Sequence, residues 1–286
     1  MSATVDADQK YKILNWLTPI DYGPQQSDFI SRRQEGTGQW LLDTNEFQGW
    51  LNQSNQTLFC SGEPGVGKTI ITSLVVHHLD TKFRIGRTIG IAYIYCNFQR
   101  QQEQKPGDIL SSLLKQLVQE RPSIPDSIET LYSHHEGKRT RPSLDEILKG
   151  LQAVIHSYSK AFIIVDALDE FQISNGGPKM LLLEIFKLQA TTGVNLFATS
   201  RINDEIAKLF EGTLSLQICA TNEDVGRYLD GQMSLLQPGN LGDDIRARIR
   251  REIIEAVNGM YVSLSMRAWC LSNLILILGS FLRSYI

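Results

Sequence analysis

The sequence lacks most of what announces a metalloprotein, a secreted protein or a nucleic-acid binder. Its 286 residues include only four cysteines, and none form a Cys-x-x-Cys pair. Cys60, Cys96, Cys219 and Cys270 therefore indicate neither a zinc site nor a redox dithiol. The first three close apolar runs and are expected as small core residues in a reducing compartment, the cytoplasm. Charge of one sign is missing too. Lys and Arg number 28 against 31 Asp and Glu, and a net charge of -3 gives no reason to expect nucleic acid as a partner. The basic cluster Lys138-Arg139-Thr140-Arg141 is expected in a solvated loop. His77-His78 and His134-His135 have no carboxylate or cysteine at metal-ligand spacing. Met1–Asp8 has no signal-peptide pattern. The longest uncharged, mostly apolar stretch, Ala268–Leu282, falls short of the roughly 18 residues of a membrane span. A membrane role is not expected, and no internal repeat is visible.

One octet is present and decides the chemistry. Gly62-Glu63-Pro64-Gly65-Val66-Gly67-Lys68-Thr69 matches the phosphate-binding loop pattern Gly-x-x-x-x-Gly-Lys-[Ser/Thr]. The glycines let backbone N–H groups turn inward around phosphate oxygens. Lys68 supplies a point charge for the β- and γ-phosphates, and the Thr69 hydroxyl can ligate Mg²⁺. A helix starting there points its positive end at the anion. The surroundings suit the motif: Gln56–Cys60 is a short apolar run before it, and Ile70–Val76 continues as a helix after it.

Apolar runs alternate with amphipathic stretches, which predicts an α/β domain with a five-stranded parallel sheet flanked by helices. The candidate strands are Thr57–Cys60, Ile89–Tyr95, Phe162–Val165, Asn195–Thr199 and Leu214–Ile218. A helical stripe follows Pro106, and Ser143-Leu144-Asp145-Glu146 is a capping box before another. Lys10–Leu17 and Asp43–Leu51 are expected as short helices. Arg121–Arg141, with two prolines and several charges, is expected as a surface connection. Thr221–Met233 and Asp243–Val257 are expected as helices, with Ile245, Ile249, Ile253 and Val257 buried and Gly259 as a cap. The implied organisation is a lead-in over 1–35, a P-loop domain over 36–220, a small partial helical domain over 221–260 and a divergent apolar tail over 261–286.

Two further segments complete a nucleotide site. Phe162–Val165 is a buried strand, and Asp166 stands at its carboxyl end, where ligands sit in open α/β sheets. It is the natural partner for a Mg²⁺ held by Thr69. Asp169 and Glu170 follow at the mouth, where a carboxylate can polarise an attacking water. Asn195–Thr199 ends in Ser200-Arg201. If this strand lies between the P-loop strand and the Asp166 strand, Arg201 faces the γ-phosphate and can report its presence. No adenine pocket is identifiable; Trp40 reads as a core residue.

These residues resemble the NACHT class of STAND nucleotide switches. The likeness is nearest to the nephrocystin-like P-loop domains of filamentous-fungal NOD-like receptor proteins. It rests on Gly36-Thr37-Gly38-Gln39-Trp40-Leu41-Leu42 with Phe47 and Trp50, on Val165-Asp166-Ala167-Leu168-Asp169-Glu170, and on Thr199-Ser200-Arg201. Ala167 stands where such proteins commonly have glycine. The resemblance spans roughly Lys10 to Met260. It implies that the Arg201 strand lies between the other two. It also implies a switch that is off with a diphosphate and on with a triphosphate, and assembly when on. In fungi such proteins are associated with non-self recognition. The departure lies after Gly259-Met260, where a winged helix and its β-phosphate histidine have no counterpart, as expected of a truncated product.

The expected activity is binding of Mg-ATP or Mg-GTP with slow hydrolysis. The expected partners are a purine nucleotide and, through self-association or pairing, full-length relatives. A regulatory fragment that binds nucleotide without switching, and a metabolic P-loop kinase, remain as alternatives.

Overall fold

A computed structural model of the chain describes residues 2–83, 88–99, 105–171, 177–235 and 243–259. Two lead-in helices come first, α1 (Ser2–Leu17) and α2 (Gly23–Ser31), the second opened by Pro24 in its first turn. A single turn α3 (Gln39–Leu42) leads to α4 (Asn45–Asn52), capped by Thr44, whose hydroxyl accepts the Phe47 N–H. β1 (Thr57–Ser61) enters the phosphate loop and α5 (Lys68–Phe83) leaves it. β2 (Ile89–Tyr95) is followed by three helices, α6 (Pro106–Gln119), α7 (Asp126–Glu136) and α8 (Leu144–His156). β3 (Lys160–Asp166) ends in a 3-10 turn over Leu168–Glu170. Then come α9 (Gly177–Thr192), β4 (Asn195–Ser200), α10 (Asp204–Leu209) and β5 (Leu214–Gln217). Helices α11 (Asn222–Leu235) and α12 (Asp243–Gly259) pack on each other.

The strands form one parallel sheet in the order β2-β3-β4-β1-β5. In β3 the side chains alternate: Ile163 and Val165 enter one apolar layer with α1, α6 and α8, while Phe162 and Ile164 enter the other with α4 and α5. Helices on both faces explain why the strands read as unbroken apolar runs. Registers Ser61↔Ser200 and Tyr95↔Asp166 bring the carboxyl ends of β1, β2, β3 and β4 to one edge. That edge carries the site.

The lead-in is tied to this core. Ile13, Leu14, Leu17 and Tyr22 are buried in the first layer. Lys10 on α1 donates to the carbonyls of Gln119 and Arg121 after α6, at 3.0 and 2.6 Å. In return, buried Lys115 on α6 donates to the Thr18 carbonyl after α1, at 2.9 Å. Each lysine thus satisfies carbonyls that the other helix leaves unpaired at its end.

Several expectations need correction. Arg121–Arg141 is not a plain surface connection, because α7 lies within it. Pro125 is the N-cap of that helix rather than a breaker, and Ile128 is fully buried. Its basic end, Lys138–Arg141, is an exposed loop. Cys60 and Cys96 are buried, but Cys219 is exposed just beyond β5. In α12, Ile249 and Ile253 are buried, while the side chains of Ile245 and Val257 lie outside what is described. Gly259 lies inside α12 rather than capping it. Cys270 and the whole tail from Met260 onward also lie outside the described residues. Among the described residues no helix is long and apolar enough to cross a membrane.

Candidate nucleotide-binding site

The loop after β1 is shaped by its glycines. Gly65 and Gly67 have φ of 82° and 94°, values that side chains bearing a Cβ rarely adopt. A Cβ on Gly62 would lie 2.6 Å from the Ile218 carbonyl oxygen, so β5 can pass close only because nothing is there. The Gly62 N–H donates to the Ser200 carbonyl at 3.2 Å, tying the loop to the end of β4. Glu63, Pro64 and Val66 complete the turn. Lys68 is buried at the first turn of α5, and its Nζ donates to the carbonyls of Gly62 and Glu63 at 2.8 and 2.9 Å. Burial pushes the Lys68 ammonium below its ordinary range, against the pull of Asp169 and Asp166.

Asp166, at the end of β3, is the centre of the site. It is buried, and three hydroxyls donate to it. Thr69 reaches Oδ2 at 2.7 Å; Thr72 and Thr199 reach Oδ1 at 2.8 and 2.7 Å. Burial raises the Asp166 carboxyl above the usual range, and the hydroxyls of Thr199, Thr69 and Thr72 and the Lys68 charge oppose this. Thr72 is not among the residues singled out from the sequence, and Thr199 is named there only as part of Thr199-Ser200-Arg201, without a role on Asp166. Thr72 was within reach, because it stands three residues after Thr69 on the same helix face. Ala167 follows in the left-handed region, φ 53° and ψ 53°, and its N–H donates to the Thr199 hydroxyl at 2.9 Å. This backbone turn is a physical reason for glycine at such a position.

Arg201 begins beyond β4, which does lie between β1 and β3. Its guanidinium meets both acids of the 3-10 turn: Nε lies 3.1 Å from Asp169 Oδ2 and Nη2 lies 3.3 Å from Glu170 Oε1. Its backbone N–H donates to Asp169 Oδ1 at 2.8 Å. The structure therefore brings together Lys68, Thr69, Asp166, Asp169, Glu170 and Arg201 at one sheet edge.

A cleft of about 490 Å³ opens at this edge; Thr69, Asp166 and Glu170 line it, whereas Lys68, Asp169 and Arg201 stand behind its lining. Its floor includes Gly65, Gly67, Thr69, Asp166 and Glu170. Its roof is α2, through Gln25, Phe29 and Arg32, together with Arg33 and the Thr37-Gly38 turn, and α11 closes one end with Asp224 and Tyr228. No local sequence pattern marks this roof. Asp224 accepts the Gly38 N–H at 3.0 Å and the Trp40 Nε1–H at 3.1 Å. Trp40 is thus half-buried and fastened to α11, outside the cleft lining. Phe29 packs edge-on against Tyr95, whose hydroxyl donates to Gln26. The Cys96 thiol lies buried in the wall and is pushed up by burial, so it is a poor nucleophile.

The residues fit a magnesium-bound triphosphate. One buried carboxylate stands beside one threonine hydroxyl, the donor set that a hard cation shares with phosphate oxygens and water. The glycine cradle leaves room for backbone N–H groups to approach an anion.

The family model for the nephrocystin 3 N-terminal region matches residues 36–201, over half of the chain. The chain belongs to that family. No curated protein matches it in sequence. Solved structures similar to this chain include three with TM-scores below 0.5. One is a DNA replication initiation factor, at TM-score 0.45 and 14% identity, covering 87% of this chain and 64% of that one. Another is the ORC1 protein of Aeropyrum pernix, solved in complex with DNA, at TM-score 0.48 and 17% identity, covering 82% of this chain and 57% of that one. A third is a Walker-type ATPase of Pyrococcus abyssi, at 0.48 and 13%, covering 79% and 64%. The chain spans less than two thirds of each.

Proposed function

We propose that this nephrocystin 3 N-terminal domain binds a magnesium complex of a purine nucleoside triphosphate, ATP or GTP, and hydrolyses it slowly. The observation that carries the reading is the contact of Thr69 Oγ1 with Asp166 Oδ2 at 2.7 Å, on a buried carboxylate beside a glycine cradle. Thr69 and Asp166 would hold the Mg²⁺, which supplies positive charge to the phosphates when bound. Lys68 turns from the loop carbonyls to the β- and γ-phosphates. Asp169 and Glu170 orient and polarise water, and Arg201 contacts the γ-phosphate. The finer reading is a STAND-type signalling switch in the cytoplasm, of the fungal non-self recognition kind, which pairs with itself or with longer relatives. It is supported by the sequence resemblance. The expectation that nucleic acid is not a partner rests on overall charge alone.

The test is a titration with a fluorescent triphosphate with and without Mg²⁺. Binding strengthened by Mg²⁺ in the natural protein, and indifferent to Mg²⁺ in Asp166→Asn, is the expected result. Binding that ignores Mg²⁺ in both proteins would overturn the metal assignment. No binding in either would overturn the function.

A further inference from the structure

Arg201 is the cation expected to read the γ-phosphate, yet it is already committed. Asp169 holds it with both carboxylate oxygens, one on the backbone N–H at 2.8 Å and one on Nε at 3.1 Å. Glu170 holds its Nη2 at 3.3 Å. The acids are the more enclosed partners: side-chain exposure is 12% for Asp169 and 25% for Glu170, against 51% for Arg201. These are the same carboxylates that would polarise water. A carboxylate whose oxygens are held by a guanidinium has fewer lone pairs free to orient a water. The strand order fixes the arrangement, since β4 runs beside β3 and delivers Arg201 to the turn that carries both acids. The cation stands beside the cleft, because Glu170, which it holds, is part of the cleft lining.

We infer that Arg201 is a positioning residue that exchanges partners: the γ-phosphate of a bound triphosphate competes with Asp169 and Glu170 for its guanidinium. When Arg201 turns to the phosphate, Glu170 is released toward the cleft that it already lines. A diphosphate offers no oxygen at that place and leaves the acids paired. Recognition of the third phosphate and release of the water-polarising carboxylate are then one event. This inference rests on the triphosphate reading of the site.

The test is a double-mutant cycle read as the ratio of affinities for a non-hydrolysable triphosphate and the matching diphosphate. Neutralising the acids with Asp169→Asn and Glu170→Gln together frees Arg201. The ratio should rise by about three- to tenfold, the size of ion pairs half open to water, with diphosphate affinity unchanged. In an Arg201→Ala background the same neutralisation should leave the ratio unchanged. Adding Arg201→Lys instead should restore the dependence in part. Simple repulsion between the acids and the γ-phosphate makes the opposite prediction, a ratio that still rises when Arg201 is gone. That result, or no rise with Arg201 present, overturns the exchange. Thermal denaturation of each variant shows that it is folded. Absence of any nucleotide binding in the natural protein would instead overturn the function itself.

Discussion

On the floor of the cleft, the hydroxyls of Thr69, Thr72 and Thr199 converge on one buried carboxylate within 2.8 Å. On the roof, Arg32 pairs with Asp28 one helical turn back, and both side chains are nearly half exposed. The floor joins the ends of β3 and β4, held by sheet register, to the phosphate loop and the first turns of α5. The roof is built from single side chains that reach across the chain, such as Asp224 to Gly38, 186 positions away. A buried carboxylate held by three hydroxyls is already in place before a ligand arrives, which suits phosphate and metal chemistry. The roof, helix α2 and one glycine turn, carries side chains half open to solvent and none of the groups around Asp166. Substitutions in the two regions should therefore separate chemistry from fit.

The largest effect is expected on the floor. Lys68 offers a charge-assisted contact worth about 1.5–3 kcal/mol. Lys68→Ala should weaken triphosphate binding by roughly ten- to a hundredfold, with some loss of thermal stability because the Gly62 and Glu63 carbonyls lose their donor. Equilibrium titration with a labelled nucleotide measures this, and unchanged affinity would show that the floor is not a phosphate site.

The roof should answer differently. Gly38 has φ +74°, and a Cβ there would lie 2.6 Å from Ile71 Cδ1. Gly38→Ala should cost about 1–2 kcal/mol of stability from the left-handed backbone alone. Urea denaturation reads the loss directly. The comparison sharpens if nucleotide binding also weakens while its Mg²⁺ dependence persists. It breaks if Gly38→Ala abolishes the Mg²⁺ response, because the roof would then be part of the metal chemistry.

This contrast also accounts for what the sequence could reveal. The phosphate loop is one contiguous octet, and Asp166 and Arg201 each end an apolar strand run, so local pattern was enough to find them. All five strands stand within two residues of where their β-branched and aromatic runs lie. The roof has no local pattern. Nothing near Gly38 or Trp40 points to Asp224, and the fastening exists only once α11 has folded back. Helix α7 was hidden because prolines near its start looked like breakers. Helix α9 was hidden because its run is apolar on both faces: Leu181, Leu182 and Ile185 are buried while Met180 and Leu183 are exposed. Only the need for a crossover between the parallel strands β3 and β4 called for it.

A third, smaller effect probes how the lead-in holds the roof. Lys115→Met keeps the buried stem but removes the donor to the Thr18 carbonyl at 2.9 Å, just before α2. The expected loss is about 1.5 kcal/mol of stability, the low end for a hydrogen bond from a charged donor because burying the ammonium is itself costly. Hydrogen exchange should show faster opening in α1 and α2 than in β1, β3 and β4. Uniform acceleration across the sheet would mean that roof and floor unfold as one unit.

The smallest effect returns to the floor and has the opposite sign. Ala167 sits at φ 53° and ψ 53°, where a Cβ crowds the following carbonyl oxygen. The strain is worth about 1–2 kcal/mol for a residue with a Cβ. Its neighbours hold it there: the N–H is bound to Thr199 Oγ1 and the carbonyl accepts the Glu170 N–H at 2.8 Å. Ala167→Gly removes the crowding, but glycine also gains freedom in the unfolded chain, which takes back about 0.4–1 kcal/mol. The net expectation is a gain of up to about 1 kcal/mol, or a few degrees in melting temperature for a chain of this size. The hydrogen bonds to Thr199 and Glu170 are backbone bonds that glycine keeps, so nucleotide affinity should stay within about twofold. A loss of stability in Ala167→Gly would mean that the methyl group packs usefully and that the turn is unstrained. A large change in affinity would mean that the turn between Asp166 and Asp169 sets the site's geometry more tightly than its hydrogen bonds suggest.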